Sequence, residues 1–332
     1  MNRSEVIDAF LAANGWQGAK RVNLAGDASF RRYERVFLDG KQAVLMDAPP
    51  EKEDIRPFLR VAGYLLANDL SAPGMIASDA ARGLLLLEDL GDDLYGRVLE
   101  KYPEQELELY LAAAEVLARL YHASEKANYD IPVFGMERLL QQVALLPEWF
   151  LPLVMDKEKA DGLRAEYLEC WRGVLSAIPD LRKVMVLYDF HAENLLWLPG
   201  RGNAARAGLL DFQDAMLGSP AYDMVSFLQD ARRDVTPETV AKTINYYLAQ
   251  TGILREEFMA AYALMGAQRN CRIVGTFARL AVRDKKPRYL AFMPRVWRHI
   301  ETDLAHPLLK PMQDWMERTI KPEWRGEMKV AV

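Results

Sequence analysis

The sequence predicts an α+β protein, with a small antiparallel sheet and helix in residues 1–90 and a large, mainly helical region in residues 91–332. Three observations carry that expectation. Short apolar runs bounded by turn residues crowd the first part of the chain. Helix-period apolar spacing dominates after Asp92. Within that helical region, Val184–Leu187 and Gly208–Leu210 are strand-like runs, and each delivers an aspartate: Asp189 and Asp211.

In chain order, Ser4 is placed to cap a short helix carrying Val6, Ile7, Phe10 and Leu11, stopped by Asn14-Gly15. Val22–Leu24 and Tyr33–Leu38 read as a hairpin around the loop Gly26-Asp27-Ala28-Ser29-Phe30. Asp39-Gly40 then turns the chain into a third strand, Ala43–Asp47. Pro49-Pro50 ends that strand, Ile55–Asn68 is helix-periodic, and Met75–Ser78 with Leu84–Glu88 complete the sheet before Leu87-Glu88-Asp89-Leu90-Gly91, read as a hinge. Beyond it, helices are expected over Glu104–His122, Met136–Phe150, Lys157–Ile178, Met224–Ala231, Pro237–Gln250, Phe258–Arg283 and Tyr289–Ile300.

Composition narrows the class of function. Of 332 residues, 51% are hydrophobic and 27% charged, which gives ample apolar content for a core. A net charge of −5 argues against general nucleic-acid affinity. Runs such as Leu84–Leu87 are far too short to span a bilayer, and no signal segment opens the chain. Cys170 and Cys271 lack metal-ligand spacing and suit a reducing compartment, so a cytoplasmic location is expected. Four histidines, none paired at helical or strand spacing, leave no zinc site. None of these features fixes an oligomeric state.

The chemistry that calls for two aspartates and a carboxamide at strand ends is phosphoryl transfer. Mg²⁺ on nucleotide phosphates takes oxygen ligands, which Asn194 and Asp211 can supply. An acceptor hydroxyl needs a carboxylate to take its proton, and Asp189 is available. The two strand-like runs, separated by Pro- and Gly-rich residues, are expected to form one hairpin.

Asp189-x4-Asn194 followed by Asp211 resembles the catalytic loop and metal segment of the protein-kinase-like bilobal fold. More narrowly, D-F-H-A-E-N and L-D-F-Q-D-A-x-x-G-S-P-A-Y-D resemble the aminoglycoside-phosphotransferase branch of small-molecule kinases. The resemblance implies ATP and Mg²⁺. It makes the loop with Gly26, Ala28 and Ser29 a cover for the nucleotide phosphates, and it lets backbone groups of Glu88 and Leu90 bond the adenine edge. Met46 stands where these kinases usually carry a strand lysine, so Arg31 and Arg32 are candidate replacements. Leu187 and Tyr188 depart from the family's His-Gly before the catalytic Asp. His191 is read as loop support with a lesser claim on substrate, and Asp223 resembles an aspartate that buttresses the catalytic loop.

G-D-A-S-F-R-R-Y, V-L-M-D-A-P-P-E-K-E-D and Q-R-N-C-R-I-V-G-T-F-A-R-L narrow the resemblance to the anomeric N-acetylmuramate/N-acetylglucosamine kinases of cell-wall recycling. That implies a small-molecule sugar acceptor phosphorylated at its C1 hydroxyl. Arg269, Arg272 and Arg279 share a helical side and are candidates to meet an acceptor carboxylate. Two alternatives stay open: a kinase for another hydroxyl compound (an aminoglycoside, choline or homoserine), and a nucleotide-binding pseudokinase acting as an interaction module.

Overall fold

Residues 2–24, 30–125 and 129–326 are described by the computed structural model. The predicted strands form one antiparallel sheet from β1 (Lys20–Asn23), β2 (Arg32–Leu38), β3 (Lys41–Asp47), β4 (Met75–Asp79) and β5 (Leu84–Leu87), in the order β1-β2-β3-β5-β4. The two-residue period sorts β3 by face. Ala43 and Leu45 join Val36, Leu84 and Leu86 in a core with Ile7, Phe10 and Leu11 of helix α1 (Arg3–Ala13). Met46 lies opposite Tyr33 on β2 and Leu85 on β5, and is fully buried. Methionine there contributes about 1.5–3 kcal/mol by burial, whereas a cation so buried would need an ion-pair partner.

The cap of α1 corrects one expectation. Asn2, not Ser4, is the N-cap: its side chain accepts from the Glu5 N–H at 3.0 Å, and Glu5 accepts from the Asn2 N–H at 2.9 Å. Reciprocal bonding satisfies two otherwise orphaned donors, which Ser4 inside the first turn cannot do.

The chain divides into two compact units, one of Met1–Arg119 with Ala192–Asp214, the other of Leu120–His191 with Ala215–Val332. The first holds the sheet, α1, α2 (Arg56–Leu66), α3 (Tyr95–Lys101) and most of α4 (Glu106–Ala123). The second is built from α5 (Met136–Val143), α6 (Leu151–Val154), α7 (Lys157–Ser176), the short strand β6 (Val184–Val186), α8 (Tyr222–Leu228), α9 (Pro237–Thr251), α10 (Arg255–Val282), α11 (Met293–Leu304) and α12 (Lys310–Thr319). The helix expected over Met136–Phe150 is split by a π-helical turn at Leu146–Phe150 containing Pro147, which lacks the N–H that a continuing helix needs. Helix α10 is buried along most of its length. At Gly275 a Cβ would lie 2.2 Å from the Leu145 carbonyl carbon, so only glycine permits that close approach. No helix among the described residues is long and apolar enough to cross a membrane.

The hairpin expectation is also corrected. Val184–Val186 does not pair with the strand before Asp211; it pairs with a strand at Met216–Gly218. The partner of β8 (Ala207–Leu209) is β7 (Leu195–Trp197), and Met216–Gly218 is β9. The Leu195–Trp197 run lies closer along the chain to Ala207–Leu209 than Val184–Val186 does, so it closes the shorter loop at lower entropic cost.

Candidate active site

In the first unit the β7–β8 ladder decides which side chains emerge together. Leu195 pairs with Leu209, and the Leu210 N–H donates to the Asn194 carbonyl at 3.0 Å. Asn194, just before β7, and Asp211, just after β8, therefore leave the same end of one hairpin. Asp211 has φ +55°, a left-handed conformation uncommon for non-glycine residues but one that aspartate tolerates better than most. Gln213 Nε2 donates to Asp211 Oδ1 at 2.7 Å, fixing the carboxylate's orientation. Gly96 leaves the room that Glu193 occupies, since a Cβ there would stand 2.1 Å from Glu193 Oε1. That contact holds the residue preceding Asn194. A carboxylate and a carboxamide oxygen at one hairpin end suit Mg²⁺, a hard cation that takes one or two protein oxygens and completes its shell with water and phosphate.

The two candidate cations separate clearly. Arg32 is exposed, but the Arg31 side chain is only 13% exposed, with Nη1 3.9 Å from Asp211 Oδ1 and Nε 3.5 Å from Glu53 Oε2. Arg31 immediately precedes β2, and its side chain interacts with that of Tyr33, the residue that pairs with Met46. Glu53, which sequence reading passed over, thus sits where it can hold the guanidinium. Its signal was its place in V-L-M-D-A-P-P-E-K-E-D, just past Pro49-Pro50. Gly26, Ala28 and Ser29 lie outside the described residues.

The segment after β5 is braced by Arg35, whose Nη2 is 3.1 Å from Asp89 Oδ1 and whose Nη1 is 2.9 Å from Asp92 Oδ2. The Glu88 N–H is already committed to the Gly74 carbonyl at 2.7 Å, and its side chain takes an ion pair from Arg201. Leu90 makes no main-chain hydrogen bond among the described residues.

In the second unit, β6 leads into Leu187, Tyr188 and Asp189. Asp223, the second residue of α8, accepts from the Leu187 N–H at 2.6 Å and the Tyr188 N–H at 3.0 Å. Burial pushes its carboxyl up to about 7, against those two donors, which favour the anion. Tyr188 has φ +75°, a conformation that glycine adopts freely and that costs a tyrosine about 1–3 kcal/mol. Compensation comes from its ring and hydroxyl. The ring stacks on Tyr222 with centroids 5.9 Å apart, and the Arg272 guanidinium lies over it at 4.5 Å. Its hydroxyl accepts from Gln142 Nε2 at 2.9 Å and from Arg272 Nη1. Arg272 Nη2 also lies 3.9 Å from Asp189 Oδ1. Arg272 is therefore tied to the Tyr188–Asp189 backbone turn.

Arg269, one turn earlier on α10, is 4% exposed, and its Nε and Nη1 have no hydrogen-bond partner among the described residues. Arg279 is half-buried, with its Nε likewise unpartnered. His191 is 8% exposed with Nδ1 unpartnered, and burial pushes its pKa down to about 4. A histidine whose folded pKa lies below its unfolded value loses stability as pH falls from 6.5 toward 4, here by at most about 3 kcal/mol. His299 is lowered in the same way. Denaturation midpoints at pH 7 and pH 4.5 should therefore converge in His191→Gln relative to the native sequence; an unchanged difference would place His191 in contact with water.

A sequence profile of the phosphotransferase enzyme family (APH) matches residues 20–262. The chain is 38% identical to an N-acetylmuramate/N-acetylglucosamine kinase of Caulobacter vibrioides, with 96% of each chain covered. Among solved structures, the choline kinase LicA of Streptococcus pneumoniae superposes with a TM-score of 0.63 at 12% identity, covering 92% of this chain and 100% of that one. The GDP complex of aminoglycoside 2'-phosphotransferase-IIIa gives 0.61, again at 12% identity, covering 92% and 99%. These neighbours bear out the protein-kinase-like fold expected from the sequence.

Proposed function

Because this chain belongs to the phosphotransferase enzyme family, we propose that it is an ATP-dependent sugar kinase. Its acceptor is the anomeric C1 hydroxyl of N-acetylmuramate, N-acetylglucosamine or both. The observation that carries this reading is the 38% identity over 96% of both chains to a kinase named for those two sugars. The solved neighbours, at 12% identity, speak only to fold.

In this reading Asp189 accepts the proton of the C1 hydroxyl as its oxygen attacks the γ-phosphorus of ATP. The bond to the ADP oxygen breaks, and the products are a sugar 1-phosphate, ADP and a proton released from Asp189 to solvent. Asn194 and Asp211 are the residues to hold Mg²⁺, which when bound neutralises charge on the phosphates. Arg31, steadied by Glu53, takes the part of the phosphate-contacting cation that Met46 cannot play. The backbone of Leu90 and the carbonyl of Glu88 face the adenine edge. Asp223 holds the loop that presents Asp189. ATP-dependent chemistry and the free thiols Cys170 and Cys271 suit the cytoplasm, and the product suits the reuse of peptidoglycan sugars.

Incubating the protein with ATP, Mg²⁺ and a panel of N-acetylhexosamines, aminoglycosides, choline and homoserine should give phosphate transfer to N-acetylmuramate or N-acetylglucosamine. The product should be the 1-phosphate, recognised by its acid lability and loss of reducing power. A 6-phosphate, or transfer only to another acceptor, would overturn the reading.

A further inference from the structure

Among the buried polar side chains of the second unit that have unpartnered atoms, three are charged or titratable groups within electrostatic reach of one another. Arg269 lacks partners at Nε and Nη1, Asp230 at Oδ2 and His191 at Nδ1, and the three residues are 4%, 2% and 8% exposed. They come from three separate elements: α10, the segment following α8, and the loop after β6. Native proteins rarely leave buried polar atoms unpaired, and leaving a guanidinium and a carboxylate so is especially costly. Asp230 and Arg269 both act electrostatically on His191, and Asp230 and Asp189 both act on Arg269. Arg269 and Asp230 nonetheless form no ion pair with each other among the described residues; Asp230 Oδ1 instead accepts from the Arg232 N–H at 2.9 Å and lies 3.9 Å from Arg232 Nη1.

A buried donor and a buried acceptor that lie within electrostatic reach of one another and do not pair are matched by a group that both accepts and donates. A hydroxyl does so: it accepts from a guanidinium N–H and gives its own hydrogen to a carboxylate. Charge in this neighbourhood is balanced, with Asp189, Asp223 and Asp230 set against Arg232, Arg269 and Arg272. The balance suits a neutral polyhydroxyl ligand and disfavours a polycation.

We propose that Arg269, Asp230 and His191 form the seat for ring hydroxyls of the acceptor sugar, with one hydroxyl bridging Arg269 and Asp230. The seat reads a feature common to N-acetylglucosamine and N-acetylmuramate, and not the carboxylate that distinguishes them. This rests on the sugar-kinase reading above. It also divides the arginines of α10: Arg269 meets the acceptor, while Arg272 holds Tyr188 and Asp189.

The test is steady-state kinetics on Arg269→Met, Asp230→Asn and the double variant, with both sugars and with ATP varied separately. Each single variant should raise the sugar KM about 10- to 100-fold, equally for the two sugars, since a hydrogen bond to a charged group is lost. The ATP KM should stay unchanged. The double variant should be little worse than either single one, because both groups grip the same hydroxyl. The melting temperature of Arg269→Met should be unchanged or raised, since a buried guanidinium with two unpartnered nitrogens is removed. A loss confined to N-acetylmuramate, additive effects, or an unchanged sugar KM beside native turnover would overturn the inference alone. Turnover of neither sugar by the native protein would overturn the functional reading, and the inference with it.

Discussion

Asparagine in place of Asp189 is expected to lower turnover by about 10²- to 10⁴-fold, the range that a positioned general base contributes. The substitution keeps the shape of the side chain and removes its capacity to take a proton. It alters no residue assigned to Mg²⁺, so nucleotide affinity with Mg²⁺ should be nearly unchanged. The loop itself should survive, because its conformation is fixed by the Leu187 and Tyr188 N–H donations to Asp223 and by the Tyr188 contacts with Tyr222 and Arg272. Single-turnover phosphate transfer, with nucleotide binding measured in parallel, separates the two quantities. Near-native single-turnover rates would remove Asp189 from the chemical step.

Removing the carboxylate of Asp211 by substitution with alanine is expected to abolish measurable turnover and the Mg²⁺ dependence of nucleotide binding. Charge neutralisation by a bound metal supplies several kcal/mol of transition-state stabilisation, so a loss of about 10³-fold or more should follow. Arg31→Ala provides the contrast. It should weaken nucleotide binding while leaving the response to Mg²⁺ in place, because in the proposed function the guanidinium meets phosphate directly. Asp214→Ala should be mild. Titrating nucleotide affinity with and without Mg²⁺ in the three variants distinguishes these roles; equal loss of Mg²⁺ dependence in Asp211→Ala and Asp214→Ala would make Asp214 a ligand too.

Much of this was legible in the residues themselves. Alternation and turn chemistry marked the strands of the sheet, because a half-buried strand repeats every two residues whatever surrounds it. The spacing from Asp189 to Asn194 and on to Asp211 needed no coordinates, since phosphoryl transfer asks for oxygen ligands and a base in short succession. The pairing of those strands was not legible. Val184–Val186 and Leu195–Trp197 are both short apolar runs, and nothing local says which joins Ala207–Leu209 and which joins Met216–Gly218. The roles of the arginines were hidden for the same reason. Helical spacing puts Arg269, Arg272 and Arg279 on one side of α10, yet only tertiary packing gives Arg272 to Tyr188 and leaves two nitrogens of Arg269 without a partner. Arg31 and Arg32 are equal as sequence, and the sheet buries one against Glu53 and Asp211 while it exposes the other. Residue type and spacing set what chemistry is available to a chain. Which copy of a residue performs it depends on desolvation and on neighbours distant in sequence, and those are properties of the folded structure alone.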